Sequence, residues 1–146
     1  MDKIAFILAA QNIDNLQGAF KECGRVLKKG GKIFMVLNHP AFRIPKESGW
    51  GWDEEKKLQY RRVDSYLSEI RAKIQMHPGG NSNEFTYSFH RPLQLYFKFL
   101  SKNGFCVSRL EEWISHKKSQ PGPRSIAEDI ARKEFPLFLV LEAVKL

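Results

Sequence analysis

Cysteine is scarce in this chain of 146 residues: only Cys23 and Cys106 occur, with no CxxC or other ligand spacing between them. That excludes a disulfide framework and a cysteine-based zinc site, and it fits two buried free thiols in a reducing compartment. The four histidines, His39, His77, His90 and His116, share no ligand spacing either, so no metal site is expected. Long hydrophobic runs are absent. Phe138 to Leu141, resumed at Val144 past Glu142, falls far short of the ~20 residues that span a bilayer. The N-terminus has neither a basic leader nor a small-residue cleavage site, which places the protein in the cytoplasm with no membrane partner. Glycine is present but badly placed for holding phosphates. Gly49 and Gly51, and Gly79 and Gly80, follow no predicted strand and open no helix. No segment repeats, which rules out solenoids and propellers.

What is there suits one folded domain over residues 1–146. Hydrophobic residues make up 42% and aromatics 12%, enough to bury a core and too much for a disordered chain. The formal charge of +8 would attract nucleic acid, anionic lipid or an acidic substrate. Its Lys and Arg residues are spread along the chain rather than gathered in an arm, and a solvated surface accounts for them.

Ile4 to Ala10 is an apolar run without alternation, as in a parallel strand covered on both faces. Asn12 and Asp14 are candidate N-caps for a helix whose apolar positions Leu16, Phe20, Cys23 and Leu27 recur at helical spacing. Lys28-Lys29-Gly30-Gly31 supplies its cationic, glycine-containing stop. Ile33 to Leu37 reads as a second buried strand, closing a right-handed βαβ unit. Residues 41–90 read as an insertion. Its first part is a loop rich in Pro, Gly and Trp, after which Asp53 caps a helical stretch through Tyr60; then Ile70 to Met76 and Phe85 to Phe89 alternate as the two strands of a hairpin. Pro92 starts a helix over Leu93 to Leu100 that stops at Gly104. Phe105 to Trp113 is a strand, and Ser115 to Arg124 a basic loop. Ser125 with Glu128 is a capping box for a short helix through Ile130, and Leu137 to Val144 is the last strand.

The segment Arg25-Val26-Leu27-Lys28-Lys29-Gly30-Gly31 resembles the turn before the fifth strand of the class I, Rossmann-like S-adenosylmethionine-dependent methyltransferases. Lys102-Asn103-Gly104-Phe105 resembles the turn before that family's sixth strand. Asn38 to Arg43 and Ser88 to Leu93 resemble its type 11 branch. The resemblance covers nearly the whole chain and implies an α/β fold: the last four strands of a partial methyltransferase sheet, the final one antiparallel, with flanking helices and an inserted antiparallel hairpin or lid. The sequence departs from the family by lacking its glycine-rich cofactor loop. The matching expectation is a C-terminal half that is a proteolytic fragment, a gene model begun at an internal start, or one chain of a split protein. Its exposed first strand would then pair with a missing N-terminal half or with a second copy.

Ligands of open α/β sheets sit beyond the C-terminal strand ends. The resemblance accordingly implies that Ala10, Gln11 and Asn12 approach the methionine portion of S-adenosylmethionine, and that Asn38 and His39 face a small-molecule methyl acceptor. The cofactor is expected in the complete enzyme and not on this chain alone. His39 is the candidate base or orienting donor. Arg43, Trp50 and Tyr60 are candidate acceptor contacts from the lid, where aromatic walls with a few cations suit a planar or anionic molecule, and His90 and Arg91 are candidates at its far end. Each residue also has a plain structural role open to it: helix start, loop histidine or aromatic minicore. The competing functions are a nucleic-acid-binding module using Lys117, Lys118, Arg124, Arg132 and Lys133, and a non-catalytic interaction subunit. No RNA-binding aromatic signature accompanies those basic residues.

Overall fold

The N-terminal apolar run becomes strand β1 (Lys3–Ile7), helix α1 (Leu16–Val26) follows it, and β2 (Lys32–Asn38) returns parallel to β1, with Ile4 beside Ile33 and Ile7 beside Val36. The computed structural model describes residues 1–81 and 83–146. Two hairpins come next, β3 (Ser48–Asp53) with β4 (Leu58–Val63), and β5 (Ile70–Gln75) with β6 (Phe85–His90). Helix α2 (Leu93–Lys102), β7 (Phe105–Trp113), α3 (Ser125–Glu134) and β8 (Phe138–Lys145) complete the chain. The main sheet has the order β1-β2-β8-β7, and β8 runs antiparallel to both neighbours. This is the expected α/β arrangement of four strands with an antiparallel last strand.

Period-two burial explains why one face of that sheet holds the core. Ile33, Met35 and Leu37 of β2 and Leu139, Leu141 and Ala143 of β8 are buried against Leu16, Phe20 and Cys23 of α1 and against Tyr96 and Leu100 of α2. Each large apolar side chain so buried stabilises the fold by roughly 1.5–3 kcal/mol. The alternate residues Phe34, Val36 and Val140 are only half-buried, and Ile7 is 62% exposed. Among the described residues β1 pairs with β2 alone, so its outer edge is open.

Several local expectations are corrected. Strand β1 ends at Ile7, and Ala10–Asn12 form a short 3-10 turn rather than more strand. The N-cap of α1 is Asn15, whose side chain accepts a hydrogen bond from the Gly18 N–H at 2.9 Å; neither Asn12 nor Asp14 fills that place. α1 stops at Val26, one turn before the glycines. Gly30 then takes a φ of 77°, and a Cβ at Gly31 would stand 2.8 Å from the Lys28 carbonyl, so both glycines shape the turn into β2.

No helix follows Asp53. Its carboxylate accepts the Lys56 N–H at 2.8 Å, closing a turn in which Lys57 has a φ of 50°, and the flanking residues pair as a hairpin. The reason lies in the Trp-Gly alternation. The Tyr60 ring covers Gly51 where any Cβ would come within 2.2 Å of it, and Trp50 pairs with Arg61 on the other face. Helix α3 reaches Glu134 rather than Ile130, and the capping box does not form: Ser125 Oγ donates backwards to the Gly122 carbonyl. Cys23 is buried, but Cys106 is exposed.

Candidate active site

The crevice begins where β1 leaves the sheet. Leu8 N–H makes the last backbone rung to the Val36 carbonyl at 2.9 Å, and Leu8 itself adopts a φ of 53°, a left-handed conformation that costs a branched residue about 1 kcal/mol or more. The chain thereby turns out of the sheet into the 3-10 turn. Gln11, 7% exposed, then supplies the next rung with its side chain. Its Nε2 donates to the Asn38 carbonyl and its Oε1 accepts the Asn38 N–H, both at 3.0 Å. A side-chain amide has the donor and acceptor of a peptide unit, so Gln11 extends the β1–β2 ladder after the backbone has gone. Asn12 stays exposed and makes only long contacts, 3.3 Å to the Tyr87 carbonyl and 3.5 Å to Thr86 Oγ1.

On β2 the exposed Asn38 is followed by His39, which is 4% exposed. His39 Nδ1 accepts the Ala41 N–H at 3.1 Å, which leaves the proton of the neutral ring on Nε2, and Nε2 meets Glu112 of β7 at 2.6 Å. Both ring nitrogens are occupied in holding the turn that carries Phe42 and Arg43. The partner Glu112 was not anticipated, and its position in the alternating strand Phe105 to Trp113 is the only sequence signal for it.

His90 and Arg91 lie at the second hairpin's exit and are likewise buried. His90 Nε2 donates to the Tyr66 carbonyl at 2.8 Å, and burial lowers the pKa of the ring. Arg91 Nη2 donates to the carbonyls of Ile13 and Asp14, each at 2.7 Å, and so ties the β1–α1 loop to the start of α2. Both line a cavity of about 440 Å³ beside the N-terminus of α1. Behind them Tyr96, fully buried, has its phenol pushed up to about 12 by desolvation, with Arg91 and Gln11 pulling the other way. In the sequence Tyr96 stands only as one residue of the helix over Leu93 to Leu100.

The first hairpin brings together two of its three candidates. Arg43 and Trp50 meet, the guanidinium carbon 5.4 Å from the ring centroid, and Arg61 joins them at 5.0 Å. Tyr60 is on the opposite face of β4 from Arg61, over Gly51, and lines a cavity of about 300 Å³ together with Trp50, Lys46 and Arg62. Arg61 Nε donates to the Phe42 carbonyl at 2.8 Å and Nη2 to Ser48 Oγ at 3.2 Å. A line of rings runs from the strand end to this cluster: His39 to Phe42 at 4.9 Å, Phe42 to Phe135 at 5.6 Å, and Phe135 to Trp50 at 5.7 Å.

The same arrangement occurs in solved structures. An S-adenosylmethionine-dependent methyltransferase from Mesorhizobium loti superposes with a TM-score of 0.75 at 23% identity over 99% of this chain. This is a methyltransferase fold. A protein from Listeria monocytogenes, provisionally assigned as an S-adenosylmethionine-dependent methyltransferase, matches the fold with a TM-score of 0.73 at 25% identity, again over 99% of the chain. The glycopeptide N-methyltransferase MtfA, in complex with S-adenosylmethionine, matches at 0.53 and 17% identity over 100% of it. The chain spans 62% and 61% of the length of the first two and 54% of the third. No protein-family model and no curated protein matches the sequence. The methyltransferase fold anticipated from the RVLKKGG and NGF turns is therefore met in three dimensions, and S-adenosylmethionine is the cofactor of the proteins that share it. Among the described residues no group of His, Cys, Asp or Glu is placed to hold a metal, and no helix is long and apolar enough to cross a membrane.

Proposed function

We propose that this chain forms the acceptor side of an S-adenosylmethionine-dependent methyltransferase of the type 11 branch, acting on a small molecule. The observation that carries the reading is the pair of parallel strand ends, β1 turning away at Leu8 and β2 ending at Asn38, held together by the Gln11 side chain. Ligands of open α/β sheets bind beyond such ends. The cofactor would supply an electrophilic methyl group. What this chain contributes is placement, because in-line displacement gains most of its acceleration from alignment in a dry pocket.

In this reading the exposed Asn12 borders the cofactor's methionine portion, while Ala10 is packed into the core beneath it and Gln11 acts as a positioning residue through Asn38. The exposed Asn38 amide faces the acceptor. His39 holds the Ala41 turn in place rather than taking a proton, since both of its nitrogens are engaged. Arg43 and Trp50 contact the acceptor from the first hairpin. Arg91 fixes the loop after β1, His90 holds the Tyr66 carbonyl between the two hairpins, and Tyr60 serves the hairpin's own packing. The open edge of β1, with Ile7 and Leu8 exposed, suits pairing with a further strand from a longer chain or from a second copy.

The test is a chimera in which residues 1–146 replace the equivalent segment of the Mesorhizobium loti protein. Calorimetry should show adenosylhomocysteine binding by the folded chimera. A folded chimera that binds none contradicts the reading.

A further inference from the structure

Several exposed cations of this protein stand beside a carboxylate: Arg25 by Glu22, Lys57 by Glu54, Arg62 by Asp64, Arg109 by Glu111. Arg43 and Arg61 are different. Both are partly buried, and among the described residues neither has an ion-pair partner. They share one aromatic ring, Trp50, at 5.4 and 5.0 Å. Arg132 of α3, whose charge also acts on Arg43, is answered by Asp129 at 3.2 Å, whereas Arg43 and Arg61 have no such partner among the described residues.

The two guanidiniums are also unequally satisfied. Arg61 spends Nε and Nη2 on Phe42 and Ser48. Arg43 makes no side-chain hydrogen bond to any described residue, and its Nε is buried without a partner. A buried donor left unmade and two like charges side by side are each unfavourable, and natural proteins rarely keep both without a compensating group. Desolvation and the neighbouring Arg43 charge hold the Arg61 pKa down at about 10, and desolvation lowers that of Arg43 too. The Arg43 backbone N–H closes the turn onto the His39 carbonyl at 2.8 Å without help from its side chain, whose guanidinium rests on the Trp50 ring.

We propose that Arg43, Arg61 and Trp50 form a subsite for an oxyanion, a carboxylate or a phosphate group carried by the methyl acceptor. A guanidinium offers parallel N–H donors that fit either group, and the Trp50 ring holds the two guanidiniums side by side. The ring line from His39 through Phe42 and Phe135 to Trp50 places this subsite on the same end of the sheet as Asn38. The assignment to the acceptor rests on the methyltransferase reading; the anion site itself does not.

The test titrates the full chain with sodium benzoate in one arm and inorganic phosphate in the other, at ionic strength held constant with sodium chloride, while the Trp50 indole and Arg61 Nε–H signals are followed by NMR. Saturable shifts at both signals are expected. Tighter binding of benzoate names a carboxylate acceptor, and tighter binding of phosphate a phosphorylated one. Arg43→Gln should weaken binding about tenfold or more, Arg43→Lys by less, and Arg62→Gln on the other hairpin face should leave it unchanged. Arg43→Gln removes no hydrogen bond but takes the guanidinium off Trp50, so the ligand-free hairpin spectrum should persist apart from an offset at the Trp50 signals, from which the titration is then read. The proposal is overturned by shifts that do not saturate, or by an Arg43→Gln protein that binds as the parent does. Such a failure beside a chimera that still binds adenosylhomocysteine would remove the anion subsite alone; binding here beside a chimera that fails would remove the methyltransferase reading alone.

Discussion

The side-chain amide of Gln11 pairs with the peptide of Asn38 through two hydrogen bonds of 3.0 Å, across the point where β1 has already turned out of the sheet. One residue thus keeps two strand ends in register while the backbone opens a crevice between them. Gln11→Leu keeps the volume and removes both bonds. It should lower stability by about 1–2 kcal/mol, measured as a shift in urea midpoint at unchanged slope, and amide exchange should rise at Asn38 more than at Met35. Unchanged exchange at Asn38 would mean that the clamp does not hold the strand end.

His39 offers a spectroscopic check. With Nδ1 accepting from Ala41 and Nε2 facing Glu112, the neutral ring should show a pyrrole-type nitrogen shift at Nε2 and a pyridine-type shift at Nδ1. The reverse assignment would break the proposed holding of the Ala41 turn.

His90 supplies a pH dependence whose sign is fixed by burial. Its folded pKa lies below the ordinary histidine value near 6.5, so between the two values the unfolded chain binds more protons than the folded one. Stability is then fully present above about 6.5 and falls as pH drops below that value, by at most ~1.4 kcal/mol per pH unit. Urea midpoints from pH 7.5 to 5 should decline in the parent and decline less in His90→Gln. Parallel curves for the two proteins would assign the decline to other groups.

The two thiols should differ in reactivity. Cys106 is exposed, whereas Cys23 lies in the core with its thiol pKa raised by desolvation. A thiol reagent should modify one residue quickly in the folded protein and the second only on unfolding, with peptide mapping identifying Cys106 as the fast one. Rapid labelling of Cys23 would contradict the packing of α1 on β2.

These tests fall on features with very different visibility in the sequence. α1 and α2 were legible because their apolar residues repeat at the helical period, and β1, β2 and β8 because each is a short apolar run; β2 nevertheless buries one face fully and leaves the other half-buried or exposed, and β1 has one face half-buried and the other exposed. The first hairpin was not: Asp53 imitates a helix cap, and only the contact of Tyr60 with Gly51 reveals that the glycines make room for a ring. Cys106 lay in an apolar pattern yet faces outward, because it follows the buried Phe105 and so takes the other face of β7. Strand ends placed Ala10, Gln11, Asn38 and His39 together from topology alone. Their partners were invisible, since a glutamine that completes a ladder 27 residues away, or a glutamate 73 residues from its histidine, leaves no local trace. Arg61 lies within the insertion of residues 41–90, but its lack of a carboxylate partner among the described residues is a three-dimensional fact.

The central claim is that the ends of β1 and β2 border the transferred methyl group. In the Mesorhizobium loti chimera loaded with S-adenosylmethionine carrying a carbon-13 methyl group, nuclear Overhauser contacts from that methyl should reach Asn12 and the Asn38 side chain. Contacts confined to residues of the second hairpin, Ile70 to His90, with none to Asn38, would contradict the account.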